Sequence, residues 1–298
     1  MARKGISSCP QRRLGAHISI AGGLHRAFER ATQAGCDTLQ LFVKNQRQWH
    51  APQPDKNDVR TWQEARASAG IEPIFAHSSY LINLASPDEV LWNKSIDAFE
   101  DELVRCEELD IPYLVTHPGS HNGDSEAKGI KRVIRALNVI HRRTKDFAVR
   151  TLIETTAGQG TNLGYRFEQL AQIIHGVFNS ERMGVCFDTC HAFAAGYDLT
   201  SDEGYHRTFD QIKETVALQS IQCFHLNDSY KPFGSRVDRH AGIGMGEMGA
   251  EPFRLLVNDK RFFHVPMIIE TPKGRDEQGR DLDQINLAAL RRLINMSP

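Results

Sequence analysis

The feature that most constrains this chain is a rhythm. Eight short β-rich runs recur along it, separated by stretches long enough for helices. The runs are LGAHI (Leu14–Ile18), TLQLFV (Thr38–Val43), PIFAH (Pro73–His77), YLVTH (Tyr113–His117), TLIET (Thr151–Thr155), MGVCFD (Met183–Asp188), IQCFHL (Ile221–Leu226) and PMIIET (Pro266–Thr271). Between them, Gly23–Ala34 sets Leu24, Ala27, Phe28 and Ala31 on one helical face, and Trp92–Leu109 does so with Ile96, Phe99, Leu103 and Cys106. Phe167–Ile174 and Leu282–Ile294 read the same way, with one face to bury and one charged face for solvent. Strand–helix alternation implies right-handed crossovers and a parallel sheet. Eight units at intervals of about 35 residues fit a closed (β/α)8 TIM barrel, which typically takes about 250 residues. The expected organisation is a disordered or extended tail over 1–12 and one barrel domain over 13–298.

The apolar fraction of 40% is ample for such a core, and no apolar run approaches a membrane span. The basic start, MARKGISSCPQRR, lacks the apolar segment of a secretory signal. A net charge of −1 gives no global attraction to a polyanion, so nucleic-acid binding would need local positive potential or bound cations. Cys9, Cys36, Cys106, Cys186, Cys190 and Cys223 form no CxxC pair, which favours free thiols in a reducing, cytoplasmic setting.

The strand ends carry the chemistry. His77 and His117 end the third and fourth runs, and Glu154 lies near the end of the fifth. Asp188 ends the sixth, with His191 just beyond; the seventh carries His225 and the eighth Glu270. The long Gly-rich segment after the seventh run adds Asp238 and His240. In a barrel the C-terminal strand ends share one rim, where active sites lie. A lone histidine there is more often structural than a ligand, a lone glutamate an ordinary ion-pair partner, and a lone Asp238 a turn residue. Convergence changes that reading, because four crowded carboxylates repel unless cations or protons offset them. Mixed imidazole and carboxylate donors favour zinc, manganese, iron or cobalt over magnesium or calcium. Nine donors exceed one tetrahedral shell and suit two or three ions with open positions. Three divalent ions against four carboxylates leave about two positive charges, suited to a hydroxide and a phosphodiester oxygen.

The chain resembles the endonuclease IV family of zinc-dependent apurinic/apyrimidinic endonucleases from about Leu14 to Ile294. The motifs that carry the resemblance are LGAHISIAGGL, FVKNQRQW, HSSYLINLA, HPGSH, ETTAGQGTNLG, CFDTCHAFAAGYD, FHLNDS, GSRVDRHAGIGMGEMG and IIETP, in that order. The resemblance implies a (β/α)8 barrel with three Zn2+ per chain, manganese being an alternative at one position. One ion would take His77, His117 and Glu154. A second would take Glu154 as bridge with Asp188, His225 and Glu270. The third would take His191, Asp238 and His240.

The implied activity is base excision repair: hydrolysis 5′ to an abasic site by a zinc-activated hydroxide, leaving a 3′-hydroxyl and a 5′-deoxyribose phosphate. Trimming of 3′ ends is a further expected activity. Glu154 and Glu270 are the expected catalytic carboxylates, and double-stranded DNA with abasic sites is the expected partner of a monomer. The resemblance also implies that Arg47, Tyr80 and Leu81 enter the gap in the duplex. By residue type, the loop Lys44–Trp49, with Asn45 and Arg47, suits phosphates and base edges. By residue type alone, Tyr80 and Leu81 read first as a hydrophobic plug on the rim, and Arg236 could bind phosphate or pair with a carboxylate. Cys190 beside His191 reads as packing rather than a nucleophile. Gly158, Gly160, Gly242, Gly244 and Gly246 admit either close approach of DNA or simple turns, with turns the preferred reading. A metal-dependent sugar isomerase or epimerase on the same fold is the rival enzyme, needing fewer ions. A non-catalytic damage-binding protein is the rival outside catalysis.

Overall fold

The computed structural model describes residues 12–295. Residues 1–11, most of the expected tail, lie outside the described residues. Arg12 is buried, and its guanidinium donates to the carbonyls of Val257 and Asp259, each at 2.7 Å.

All eight expected runs are strands. They are β1 (Leu14–His17), β2 (Thr38–Leu41), β3 (Ile74–His77), β4 (Tyr113–Thr116), β5 (Arg150–Glu154), β6 (Met183–Asp188) and β7 (Ile221–His225), closed by β10 (Met267–Ile269). Between the last two, β8 (Asp228–Ser229) and β9 (His240–Ala241) form a small antiparallel ribbon. The barrel closes in the order β1-β10-β7-β6-β5-β4-β3-β2, and every pair in it is parallel.

The outer layer holds α1 (Arg26–Ala34), α2 (Lys56–Ala69), α3 (Glu89–Glu108), α4 (Glu126–Arg143), α5 (Phe167–Gly176), α6 (Thr189–Ala195), α7 (Asp202–Thr215), α8 (Glu251–Asn258) and α9 (Leu282–Leu293). The four helices read from periodicity are α1, α3, α5 and α9. α1 begins three residues later than its periodicity suggests, because Gly22 and Gly23 take φ of +85° and +124° and cannot continue a helix. α2 carries no strong apolar stripe and is set by its start. Asp55 accepts from the backbone of Asn57 and Asp58, while Asp58 accepts from the backbone of Asp55. Among the described residues no helix is long and apolar enough to cross a membrane.

Two apolar layers hold the fold together. One lies between strands and helices, with Phe28, Trp62, Phe99, Phe209 and Phe253 among its fully buried side chains. The other is a separate plug inside the tube made of Phe75, Val115, Leu152, Cys186, Cys223 and Ile268, all fully buried. Strand side chains return to the same face every second residue. Two residues beyond these six stand His77, His117, Glu154, Asp188, His225 and Glu270. The barrel's own pleat therefore stacks a polar tier directly on an apolar floor.

Candidate metal centre

The polar tier is continuous. Glu154 sits at its middle with no exposed side-chain surface. Its Oε2 lies 3.1 Å from His77 Nε2 and 3.2 Å from His117 Nε2. Its Oε1 lies 3.1 Å from His225 Nδ1 and 3.2 Å from His191 Nδ1. His225 Nδ1 is also 3.2 Å from Glu270 Oε2 and 3.9 Å from Asp188 Oδ2. Across the mouth, Asp238 places one oxygen 3.1 Å from His191 Nε2 and the other 3.2 Å from His240 Nε2. The nine expected donors make up three of the five close groups among the described residues: His77, His117 and Glu154; Glu154, Asp188, His225 and Glu270; and His191, Asp238 and His240; the other two are Cys186, Cys223 and His225, and Asp188, Cys190 and His240. Within each group the donor atoms lie within 4.8 Å of one another.

Local sequence explains these placements. Asp188 ends β6 and caps α6, accepting from His191 N at 2.8 Å. The strand-to-helix turn thereby sends Asp188 and His191 to neighbouring groups. Asp228 anchors the Gly-rich loop by accepting from the backbone of Gly246 and Met248 at 2.8 and 3.0 Å. A Cβ on Gly246 would collide with the Ser229 carbonyl, so the loop closes here only on glycine.

The donor set fits divalent cations by its hydrogen placement. A backbone carbonyl can only accept, so an imidazole nitrogen facing one must carry the hydrogen. His77 Nδ1 faces Ser78 O at 2.8 Å, His191 Nδ1 faces Thr155 O at 2.8 Å, and His240 Nδ1 faces Glu270 O at 3.2 Å. In the neutral ring each Nε2 then presents a lone pair toward carboxylate oxygens, a repulsive arrangement unless positive charge sits between them. His240 Nε2 is buried without a hydrogen-bond partner despite its nearness to Asp238. The electrostatics show the same demand for positive charge, which a proton on an imidazole can also meet. Burial opposes charge throughout, yet His225 and His117 hold the Glu154 carboxyl well below the usual range. Against the same burial, Asp188 and Asp238 hold His191 well above the usual imidazole value. His240, also opposed by burial, is pushed up to about 9 by Asp238 and Asp188. The tier is built to keep carboxylates ionised beside positive charge.

A probable endonuclease 4 of Chloroflexus aggregans is 51% identical over 285 residues, covering 96% of this chain and 99% of its own. The chain belongs to the endonuclease IV family. The probable endonuclease 4 of Geobacter sulfurreducens is 50% identical, covering 94% of each chain. Residues 28–293 match the family model of xylose isomerase-like TIM barrels. The crystal structure of endonuclease IV from Thermus thermophilus superposes with a TM-score of 0.82 at 34% identity, over 94% of this chain and 98% of that one. A D-tagatose 3-epimerase-like protein superposes with a TM-score of 0.71 at 17% identity, which reflects the fold alone. As a member of the endonuclease IV family, the protein is a metal-dependent hydrolase, a nuclease, and its donor clusters are able to hold metal.

In this endonuclease IV family member, four of the five residues expected to meet substrate lie on the loops after β2 and β3, and Arg236 lies between β8 and β9. Asn45 and Arg47 are exposed, with Asn45 Oδ1 accepting from Arg47 N at 3.0 Å. Tyr80 is 64% exposed and Leu81 half-buried. Lys44, read as part of a basic loop suited to phosphates and base edges, turns inward. Its ammonium is buried, 2.6 Å from Asp101 and 3.1 Å from the Trp49 carbonyl, and serves as an internal tie. Neighbouring Glu102 accepts from Ser79 N, so one turn of α3 holds the loops after β2 and β3. Arg236 stacks over the Tyr165 ring at 4.4 Å rather than pairing with the nearby carboxylates. Cys190 is buried and its thiol is pushed up to about 12 by that burial, consistent with packing. Gly158, Gly160 and Gly244 take positive φ. In the charged segment after Thr271, Lys273 pairs with Asp283 at 2.7 Å and Arg280 with Asp276 at 2.7 Å.

Sequence reasoning did not single out Asn227, His17 or Gln40. Asn227 donates to Asp188 Oδ2 at 2.6 Å and accepts from Glu270 N at 2.8 Å, fixing two donors at once. His17 and Gln40, on β1 and β2, complete the polar tier. The available signal was the pleat itself, since both are strand residues two places beyond Gly15 and Thr38 on the same face.

Proposed function

We propose that this protein is a DNA-repair endonuclease that hydrolyses the phosphodiester 5′ to an abasic site, leaving a 3′-hydroxyl and a 5′-deoxyribose phosphate. It would hold three zinc ions: one on His77, His117 and Glu154, one on Glu154, Asp188, His225 and Glu270, and one on His191, Asp238 and His240. The observation that carries the proposal is the sharing of Glu154, whose two oxygens face different donor groups. When bound, the ions supply Lewis acidity, lowering the pKa of water and offsetting phosphodiester charge.

The chain's own residues supply position. Glu270, fixed through its backbone by Asn227, orients the attacking water or accepts its proton at a carboxylate oxygen. A cavity of about 350 Å3 opens beside His77 and His117, lined by Ser79, Tyr80, Asn83 and Gln159 among others. It suits a sugar-phosphate turned out of the helix, and an abasic nucleotide costs least to extrude. Tyr80 and Leu81, with Arg47 on the adjacent loop, are placed to fill the space it leaves. Asn45 and Arg236 would contact the backbone. The enzyme would act as a monomer, and trimming of blocked 3′ ends would use the same centre.

The test is incubation of zinc-loaded protein with a duplex carrying one abasic site. Incision on the 5′ side, abolished by chelator and restored by zinc, is expected. Glu270→Gln should lose cutting, and loss of cutting with zinc retained would support a direct catalytic role for that carboxylate. Retention of the duplex without cutting would indicate a binding protein, and uptake of only one or two ions with epimerisation of a ketose would indicate a sugar enzyme.

A further inference from the structure

Gln40 stands on β2, fully buried, beside two residues of the four-member donor group. Its Oε1 lies 2.9 Å from His225 Nε2, and its Nε2 lies 2.7 Å from Glu270 Oε1 and 3.0 Å from His17 Nδ1. A primary amide has fixed polarity: its oxygen only accepts and its nitrogen only donates. The reverse orientation would set the amide oxygen against the Glu270 carboxylate, so the observed one is imposed. Two consequences follow. The hydrogen between Gln40 and His225 must belong to His225 Nε2, which leaves His225 Nδ1 as the nitrogen facing Glu154 and Glu270. One amide hydrogen is donated to Glu270 Oε1, which His17 Nδ1 also faces at 3.2 Å, so Glu270 is steadied on one oxygen while its other stays directed at His225.

This differs from three other imidazoles of the centre. His77, His191 and His240 have their hydrogen placed by a backbone carbonyl, which no substitution removes. His225 has its hydrogen placed by a side chain. We propose that Gln40 is a positioning residue for this centre: its amide selects the Nε2–H tautomer of His225 and steadies Glu270, and so sets how tightly the Glu154–Asp188–His225–Glu270 group holds its ion. The inference rests on the proposed assignment of that group to a metal. It predicts that one ion of the set is individually adjustable from β2, through a residue that never touches it. Partners in this position typically change metal affinity by roughly 10- to 100-fold when removed.

The experiment compares the native protein with Gln40→Met, of similar length and without polar atoms, and with Gln40→Glu, which keeps shape but faces Glu270 with a second carboxylate. Each is loaded with zinc, then titrated with a graded chelator while metal per chain is counted. Nitrogen-15 NMR of labelled histidine reads the His225 tautomer in the native protein. Cobalt(II)-loaded samples give a visible spectrum of the coordination shell. The expected result is loss of one equivalent from Gln40→Met at roughly 10- to 100-fold lower chelator, the remaining ions leaving as in the native protein. The cobalt spectrum should change, and excess zinc should restore cutting with KM for the duplex unaltered. Gln40→Glu should lose the same equivalent at least as readily. Native His225 carrying its hydrogen on Nδ1 would overturn the inference whether or not the variants fold. So would Gln40→Met, or Gln40→Glu if Met misfolds, retaining every equivalent as tightly as native. A native chain that takes up no ion would remove the proposed function and this inference together.

Discussion

The centre has two halves built in different ways. His77, His117, Glu154, Asp188, His225 and Glu270 stand on barrel strands or one residue past them, over the apolar plug. His191, Asp238 and His240 stand on the first turn of α6 and on the loop ending in β9. Glu154, Asp188 and His225 have no exposed side-chain surface, whereas Asp238 is 40% exposed. Strands are fixed by ladders on both sides, while a loop is fixed by the few bonds that anchor it. The difference teaches that one centre can combine a rigid portion and a more labile one, and that the two should part company under stress.

The largest break should come from the bridge. Glu154→Gln removes the charge shared by two donor groups, so metal content should fall by about two equivalents and incision by at least about 10³-fold. Loss of a single equivalent by elemental analysis would show that Glu154 serves one ion only. Next, Phe75→Ala opens a cavity beneath the strand-borne half. Chemical denaturation should show a loss of about 3–5 kcal/mol, with the strand-held ions weakened more than the loop-held one. Equal weakening of all ions would erase the distinction between the halves.

Asp238→Asn should act on the loop-borne half alone. About one equivalent should leave at a chelator concentration that spares the others, with little change in unfolding free energy. The smallest effect concerns a histidine outside the centre. His141 is buried on α4, and burial with nearby Arg182 pushes it down to about 4. Its unfolded form binds a proton more readily, so stability is fully present above about pH 6.5 and is lost as pH falls toward 4. Between pH 7 and pH 5 the loss should be about 2 kcal/mol, and His141→Gln should flatten that slope in denaturation curves. An unchanged slope would assign acid sensitivity to the centre alone.

The strand-borne half was legible in the sequence because a titratable residue ending an apolar run is unusual, and a barrel gathers such ends at one rim. The same pleat raised β1 and β2 residues to the tier, but Gln40 and His17 do not end their runs on charge and drew no notice. Asn227 escaped for a related reason, since an amide that orients donors has no compositional mark. Asp238 and His240 were legible through the loop's motif rather than through any period. Lys44 was misjudged because a sequence shows that a lysine is basic, not that Asp101 and Glu102 wait for it on a helix 57 and 58 positions away. Arg236 was undecidable between phosphate and carboxylate, and the aromatic face of Tyr165 was a third partner that spacing could not suggest.

The apolar floor also governs traffic. With Phe75, Leu152 and Ile268 packed in the tube below, among the described residues the tier opens at the mouth. A duplex laid across that mouth would be the lid on its own reaction vessel. Ions could neither leave nor be replaced until product departs, so metal exchange should be slow in the presence of bound DNA and fast in the pauses between turnovers.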